Sequence, residues 1–376
     1  MHQVYLDNAA TTKVKPEVLE AMLPYLNDFY GNASSVYDLA RKSKQAIENS
    51  REKIAALIGA EPKEIFFTAS GTEADNWALK GLAYAHQDKG KHIITSQIEH
   101  HAVLHSCQFL EKNGFEVTYL PVDEFGLVSL SDLKEAIRPD TILISIMFAN
   151  NEIGTIQPVA QIAQLAKEKQ IIFHTDGVQA VSNLEIDVKK IGIDAMSISG
   201  HKFHAPKGIG ALYLKNGLAI ENLLHGGSQE RELRAGTENV AAIVAMAKAL
   251  ELAYQNLAER TQKMKTLRDR TIKEISDNFQ GAKLNGHSNR RLPGNVNFSF
   301  PKVEGDVLLM QLDMKGISAS SGSACSSLSI EPSHVLLALG LDKAMAKGSL
   351  RITFGDENTS ADLDYLLATL KEVLPK

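Results

Sequence analysis

From about Glu64 to Leu214 the chain alternates short, unbroken apolar runs with longer stretches whose apolar residues recur every three or four positions. The runs fall at 65–68, 92–96, 117–120, 142–147, 171–176, 193–199 and 209–214. Runs without a polar alternation predict strands covered on both faces, as in a mostly parallel α/β sheet. Helix ends are legible between them. Pro158 falls in the first turn of a segment carrying Val159, Ile162, Ala163 and Ala166 on one face, and Gly114 closes another. Past the last run, 239–277 keeps Ile243, Ala247, Leu250, Tyr254, Leu257, Met264 and Leu267 to one face with no internal proline or glycine. That pattern predicts one long helix bridging to a C-terminal unit. The remainder mixes strands at 296–300 and 350–354 with a last helix, opened by Thr359 or Ser360, that buries Leu363, Leu366, Leu367 and Leu370.

A length of 376 residues suits one large and one smaller domain. The formal charge of −5 argues against nucleic acid or an anionic membrane surface as the main partner. No apolar run is long enough to cross a bilayer. Residues 1–7 carry no basic region followed by an apolar core, so no signal peptide is expected. Two cysteines make no disulfide framework, and a reducing cytoplasm is the expected compartment.

The residues able to do chemistry cluster at the ends of the runs. Ser199-Gly200-His201-Lys202 ends one, and Asp176 ends another with Gln179 three residues on. Pyridoxal 5'-phosphate (PLP) needs such a pair: a lysine to form a Schiff base and a carboxylate to keep the pyridine nitrogen protonated. A surface lysine after a strand is the plainer reading of Lys202 taken alone. Ser70-Gly71-Thr72-Glu73 opens a helix after the first strand and suits a phosphate, although Glu73 and Asp75 also suit an ordinary helix start. Glu99-His100-His101 follows the second strand, where a flat imidazole can stack on a ring and move protons. His101 and His105 are spaced i, i+4, but no Glu lies between them and no further ligand cluster follows, so zinc is discounted. Asn150-Asn151-Glu152-Ile153-Gly154 offers amides to a phenolic oxygen or a carboxylate, and is equally plain turn chemistry.

Joint placement strengthens these signals, because open α/β sheets bind ligands beyond their strand ends. The 226–237 segment, with its glycines, Arg231, Arg234 and Thr237, suits a loop approaching a phosphate. Small residues surround Cys325 with no apolar anchor before Leu328, which predicts an exposed, mobile loop. Cys107, beside Phe109 and Leu110, reads instead as a buried structural cysteine.

With these segments in view, the chain closely resembles the cysteine desulfurases, class V aminotransferase-like PLP enzymes that mobilise sulfur for iron–sulfur clusters and tRNA thiolation. The likeness runs from Tyr5-Leu6-Asp7-Asn8-Ala9-Ala10-Thr11-Thr12 and Gly31-Asn32-Ala33-Ser34-Ser35 to Ser349-Leu350-Arg351. The Ser321-Gly322-Ser323-Ala324-Cys325-Ser326-Ser327 loop is similar to that of the nitrogen-fixation and housekeeping iron–sulfur branch. At Ala33, Ser228 and Glu232 the chain departs from the usual pattern.

The resemblance implies an α/β fold, the PLP-dependent transferase fold type I. A large PLP-binding domain over 15–255 would hold a mainly parallel seven-stranded sheet. A smaller α+β domain, from 1–14 and 256–376, would carry the Cys325 loop. It implies that Lys202 holds PLP and moves the substrate Cα proton, that Asp176 pairs with the pyridinium, and that His100 stacks on the ring and assists proton transfer. Gln179 and Asn151 would address the phenolic oxygen and the substrate. Gly71, Thr72, Ser199 and His201 would hold the phosphate, joined by Thr237 from the partner of a homodimer, and Arg351 would grip the substrate carboxylate. Cys325 would take the sulfur of L-cysteine as a persulfide, leaving L-alanine, and pass it to an iron–sulfur scaffold or a tRNA-thiolating enzyme. No intrinsic metal is implied, only transient contact of Cys325 with an iron–sulfur cluster on a partner. Two other readings use less of this set. Another PLP activity, aminotransfer or selenocysteine lysis, needs Lys202 and Asp176 but not Cys325. A non-catalytic regulator needs none of them.

Overall fold

The computed structural model describes residues 3–322 and 332–374. Twelve strands occur among them: β1 (Val4–Tyr5), β2 (Ile65–Thr68), β3 (His92–Ser96), β4 (Glu116–Leu120), β5 (Thr141–Ser145), β6 (Ile172–Asp176), β7 (Ala195–Ser199), β8 (Gly210–Leu214), β9 (Lys283–Leu284), β10 (Asn295–Ser299), β11 (Ile317–Ser318) and β12 (Ser349–Thr353). The seven strands expected between 65 and 214 all form and join in the order β2-β8-β7-β6-β5-β3-β4. Only β8 runs against its neighbours, β2 and β7; the remaining pairings are parallel.

Both faces of this sheet are covered over most of its width, which is why its strands other than the part-exposed edge strand β4 read as buried, largely apolar runs. Phe66, Ile93, Leu143, Ala195 and Leu212 pack under Trp77, Leu82, Val103 and Cys107 of the helices Gly71–Ala85 and His101–Lys112. On the other face Phe67, Ile94, Ile144, Phe173 and Ile198 meet Ile47 and Ile54 of Asp38–Leu57 and Ile243 and Met246 of Val240–Gln255. Each such fully buried Leu, Ile or Phe contributes about 1.5–3 kcal/mol relative to exposure. Cys107 is fully buried, as its apolar neighbours predict.

A second apolar core lies apart from the sheet. It gathers Val4, Leu6, Met264, Leu267, Val296, Phe298, Leu350, Ile352, Leu363, Leu366 and Leu370 around the antiparallel sheet β12-β10-β9. Thr359 caps the last helix, Ser360–Val373, through a reciprocal box with Asp362. The single helix expected over 239–277 is instead two, Val240–Gln255 and Leu257–Asn278, separated at Asn256 with φ −120° and ψ 27°. The reason is packing. The first helix is buried against the sheet core, whereas the second presents Met264, Leu267 and Ile275 to the second core. The chain must turn between those two targets, and asparagine, a weak helix former, leaves the helical conformation there at little cost.

Candidate active site

The parallel strands β2, β3, β5, β6 and β7 all end at one edge of the sheet, and the segments that follow them converge on a cavity of about 190 Å³. Ten of the residues expected from sequence line it: Gly71, Thr72, His100, Asn151, Asp176, Gln179, Ser199, His201, Lys202 and Arg351. The chain's own start crosses from the second core to close one side with Ala9 and Ala10.

One wall is the start of the helix Gly71–Ala85. Ser70 caps it, its hydroxyl accepting from Glu73 N at 3.1 Å, which leaves the first backbone N–H groups for an anion. A Cβ on Gly71 would lie 2.8 Å from Val178 Cγ2 and 3.1 Å from Ser199 Cβ, so only glycine lets this turn sit so close to the β6 and β7 ends. Across the cavity Asp176 is buried, with Oδ1 accepting from Val178 N at 2.9 Å. Burial raises its pKa to about 6, and Lys202 only partly opposes this. A further cation beside it would favour the charged carboxylate.

Lys202 follows β7 on a single helical turn, Gly200–Lys202, and its Nζ donates to the carbonyls of Ala9 at 2.6 Å and Ala10 at 2.8 Å. Gln179 Nε2 donates to the same Ala9 carbonyl at 3.0 Å. His201 Nδ1 lies 3.1 Å from Thr11 Oγ1, and burial, then Lys202, depresses its pKa to about 4. His100 caps the helix His101–Lys112, its Nδ1 accepting from Ala102 N at 3.1 Å. That bond fixes the neutral ring with its proton on Nε2. Burial, then Lys202, lowers the His100 pKa to about 4.

The two asparagines have different roles, and it is Asn151, the one named by the family resemblance, that lines the cavity. Asn150 is turn chemistry, with Oδ1 accepting from Glu152 N and Ile153 N and Nδ2 donating to Ile98 O. Asn151 lines the cavity, and its carbonyl accepts from Arg351 Nη1 at 3.2 Å. Arg351, from β12, is buried and also donates through Nη2 to Asp7 Oδ1 at 2.7 Å.

Thr237 is exposed and does not line this cavity. The segment leading to it is pinned at Glu230, which takes two bonds from Arg51 at 2.8 and 2.9 Å and one from Phe67 N at 2.9 Å. Glu230, Arg231 and Glu232 all have positive φ, at 46°, 59° and 67°, a costly run for residues with a Cβ. Cys325 lies outside the described residues.

Sequence reading missed Asp75, taken only as a favourable charge near a helix start. It is buried on the cavity side, and among the described residues its Oδ1 has no hydrogen-bond partner. Burial, then Asp176, pushes its pKa well above the usual carboxylate range. Its spacing of i+4 from Gly71, on a face otherwise held by small apolar residues, was the available signal.

The arrangement combines an anion cradle, a buried carboxyl, a lysine and a neutral imidazole. The family model for aminotransferase class V matches residues 4–366. The cysteine desulfurase IscS of Clostridium botulinum (strain Hall) is 57% identical over 376 residues, covering 100% of this chain and 94% of that protein. Among solved structures, a NifS-like protein superposes with a TM-score of 0.93 at 39% identity, covering 99% of each chain. A protein described as SspA in complex with cysteine superposes with a TM-score of 0.84 at 39% identity, covering 95% of this chain and 100% of that one. The chain therefore belongs to the aminotransferase class-V family and, within it, to the cysteine desulfurases.

Proposed function

We propose that the chain, as a cysteine desulfurase, uses PLP held on Lys202 to take sulfur from L-cysteine, leaving L-alanine and a persulfide on Cys325. The observation that carries this reading is the convergence of Lys202, Asp176, His100 and the Gly71–Thr72 helix start on one cavity. The residues present fit the cofactor. The helix start and Ser199 and His201 beside it suit a phosphate, and the buried Asp176 suits a pyridinium. Gln179 and Asn151 offer amides to the ring's phenolic oxygen and the substrate. Bound there, PLP supplies an electron sink for charge developing at a substrate Cα.

The chain's own groups do the rest. Arg351 orients the substrate through its carboxylate. Lys202 Nζ would remove the Cα proton and return one, and His100, its Nδ1 already engaged, would offer Nε2 for proton movement. The Cys325 thiolate attacks the substrate sulfur. An S–S bond forms, the C–S bond breaks, and its electron pair stays with carbon and is protonated to give alanine. The test is the product balance: one alanine per sulfur bound to Cys325, read by mass spectrometry before any acceptor is added.

His100 gives a pH prediction. Its pKa near 4 keeps the ring neutral at ordinary pH, so the base form is lost only on acidification below about pH 5. With saturating cysteine, kcat plotted against pH should show no inflection near 6.5 belonging to His100. An inflection there that disappears in His100→Asn would show the ring charging in the neutral range.

The division into a large PLP-binding domain over 15–255 and a small one from 1–14 and 256–376 is supported by the separate cores around the main sheet and around the antiparallel sheet, which a smaller cluster of Ile98, Met147, Ile153, Val335 and Leu336 joins. A homodimer would bring Thr237 of one subunit to the phosphate of the other, in keeping with its exposure and with the pinned segment before it. Sedimentation at micromolar concentration should give a dimer; a monomer with full activity removes that role. The acceptor is a sulfur-receiving protein, an iron–sulfur scaffold or a tRNA-thiolating enzyme. No helix among the described residues is long and apolar enough to cross a membrane, and the cytoplasm is the proposed compartment.

A further inference from the structure

We propose that Asp7 is a positioning residue that sets how tightly Arg351 holds a substrate carboxylate. The inference deepens the reading of Arg351 as the carboxylate anchor and rests on it. The Arg351 side chain is 1% exposed, and a guanidinium so buried is costly unless a counter-charge accompanies it. Asp7 supplies that charge, Oδ1 lying 2.7 Å from Nη2. Nη1 reaches the Asn151 carbonyl at 3.2 Å, while Nε is buried with no partner among the described residues. The guanidinium is thus engaged at one end by a resident carboxylate and keeps unspent donor capacity for another.

Asp7 cannot readily swing away when a second carboxylate arrives. Its Oδ2 accepts from Ser320 Oγ at 2.7 Å, and Ser320 pairs with the Arg351 backbone in both directions, at 3.3 and 2.6 Å. The Asp7 carbonyl accepts from Tyr5 Oη at 3.0 Å, and the preceding residue is tied to β11 through Leu6 N and Ser318 O at 2.8 Å. The resident charge therefore stays beside the guanidinium and opposes the incoming one. It lowers affinity for cysteine and for alanine alike, which favours release of the product at the cost of a higher KM.

Asp7→Asn keeps an oxygen for Nη2 and a partner for Ser320 but removes the charge. In the yellow holoenzyme, the dissociation constant of L-alanine, read from the change in visible absorption, should fall roughly threefold to thirtyfold, and KM for L-cysteine should fall with it. Binding of cysteamine, the same amine and thiol without the carboxylate, should not change. Unchanged or weaker alanine binding overturns the proposal, and so does an equal gain for cysteamine. If the asparagine variant does not fold, Ser320→Ala carries the test. Without the hydroxyl's donation Asp7 presents a fuller charge to Arg351, so alanine should bind about twofold more weakly, and equal or tighter binding overturns the idea. Arg351→Ala separates the two levels: if it binds alanine at full strength while remaining yellow, the carboxylate role of Arg351 itself is withdrawn.

Discussion

Cys325→Ser should leave the visible absorption of the bound cofactor unchanged while sulfide release from L-cysteine falls by about a thousandfold or more. The two readouts separate because they depend on different residues. The cofactor would be held by Lys202, Asp176 and the helix start at Gly71, all lining the cavity, and none of them is altered by the change. Sulfur removal requires a nucleophile that can bond to sulfur and keep it. A thiol ionises near pH 8.5 and needs only modest local help to become thiolate, whereas a serine hydroxyl is not ionised near neutrality and forms no persulfide. The variant also discriminates between activities. Aminotransfer or selenocysteine lysis would use Lys202 and Asp176 without calling on Cys325, so either would survive. Full desulfurase turnover in Cys325→Ser would reject the persulfide route outright.

Lys202→Ala should abolish the visible imine band and reduce turnover by at least about a thousandfold, because covalent attachment of the cofactor and proton transfer at Cα both reside on Nζ. The purified variant should be colourless, or should release its cofactor on gel filtration. An unchanged imine band would assign the attachment to another lysine. The fold should survive with a modest loss of stability. Nζ donates to the carbonyls of Ala9 and Ala10; Ala9 keeps its bond from Gln179, so the loss falls mainly on the Ala10 carbonyl, and an unpaired partly buried acceptor costs roughly 1–3 kcal/mol. A circular dichroism melt separates that effect from unfolding. A variant that does not fold would mean that Lys202 anchors the N-terminal crossing more strongly than two hydrogen bonds account for.

Most strands of the main sheet were legible because burial on both faces writes a simple signature, a largely apolar run, into them; the edge strand β4, with only Leu120 fully buried, carries it least. Their C-terminal ends, and with them Asp176, Ser199 and Lys202, could be located for the same reason. The long helix was misread because periodicity reports which residues face a core but not which core. Ile243 and Met264 obey one pattern yet pack against different sheets, and the chain breaks at Asn256 to serve both. Asp75 was missed because a carboxylate near a helix start has a sufficient local explanation. Its burial beside Asp176 depends on strands more than 90 residues further along the chain.

The sequence by itself determined the parallel sheet, the edge at which chemistry gathers, the helix starts and the residue types a PLP site requires, since each depends on local spacing or on strand ends. Only the tertiary structure decided that Ala9 and Ala10 hold the Lys202 amine, that Asp75 is buried on the cavity side, and that Asp7 and Arg351, 344 residues apart, form an ion pair. Such contacts arise where the N-terminal segment and β12 meet the sheet edge. No periodicity records them, because nothing in the spacing of one segment fixes which distant charge will neutralise it.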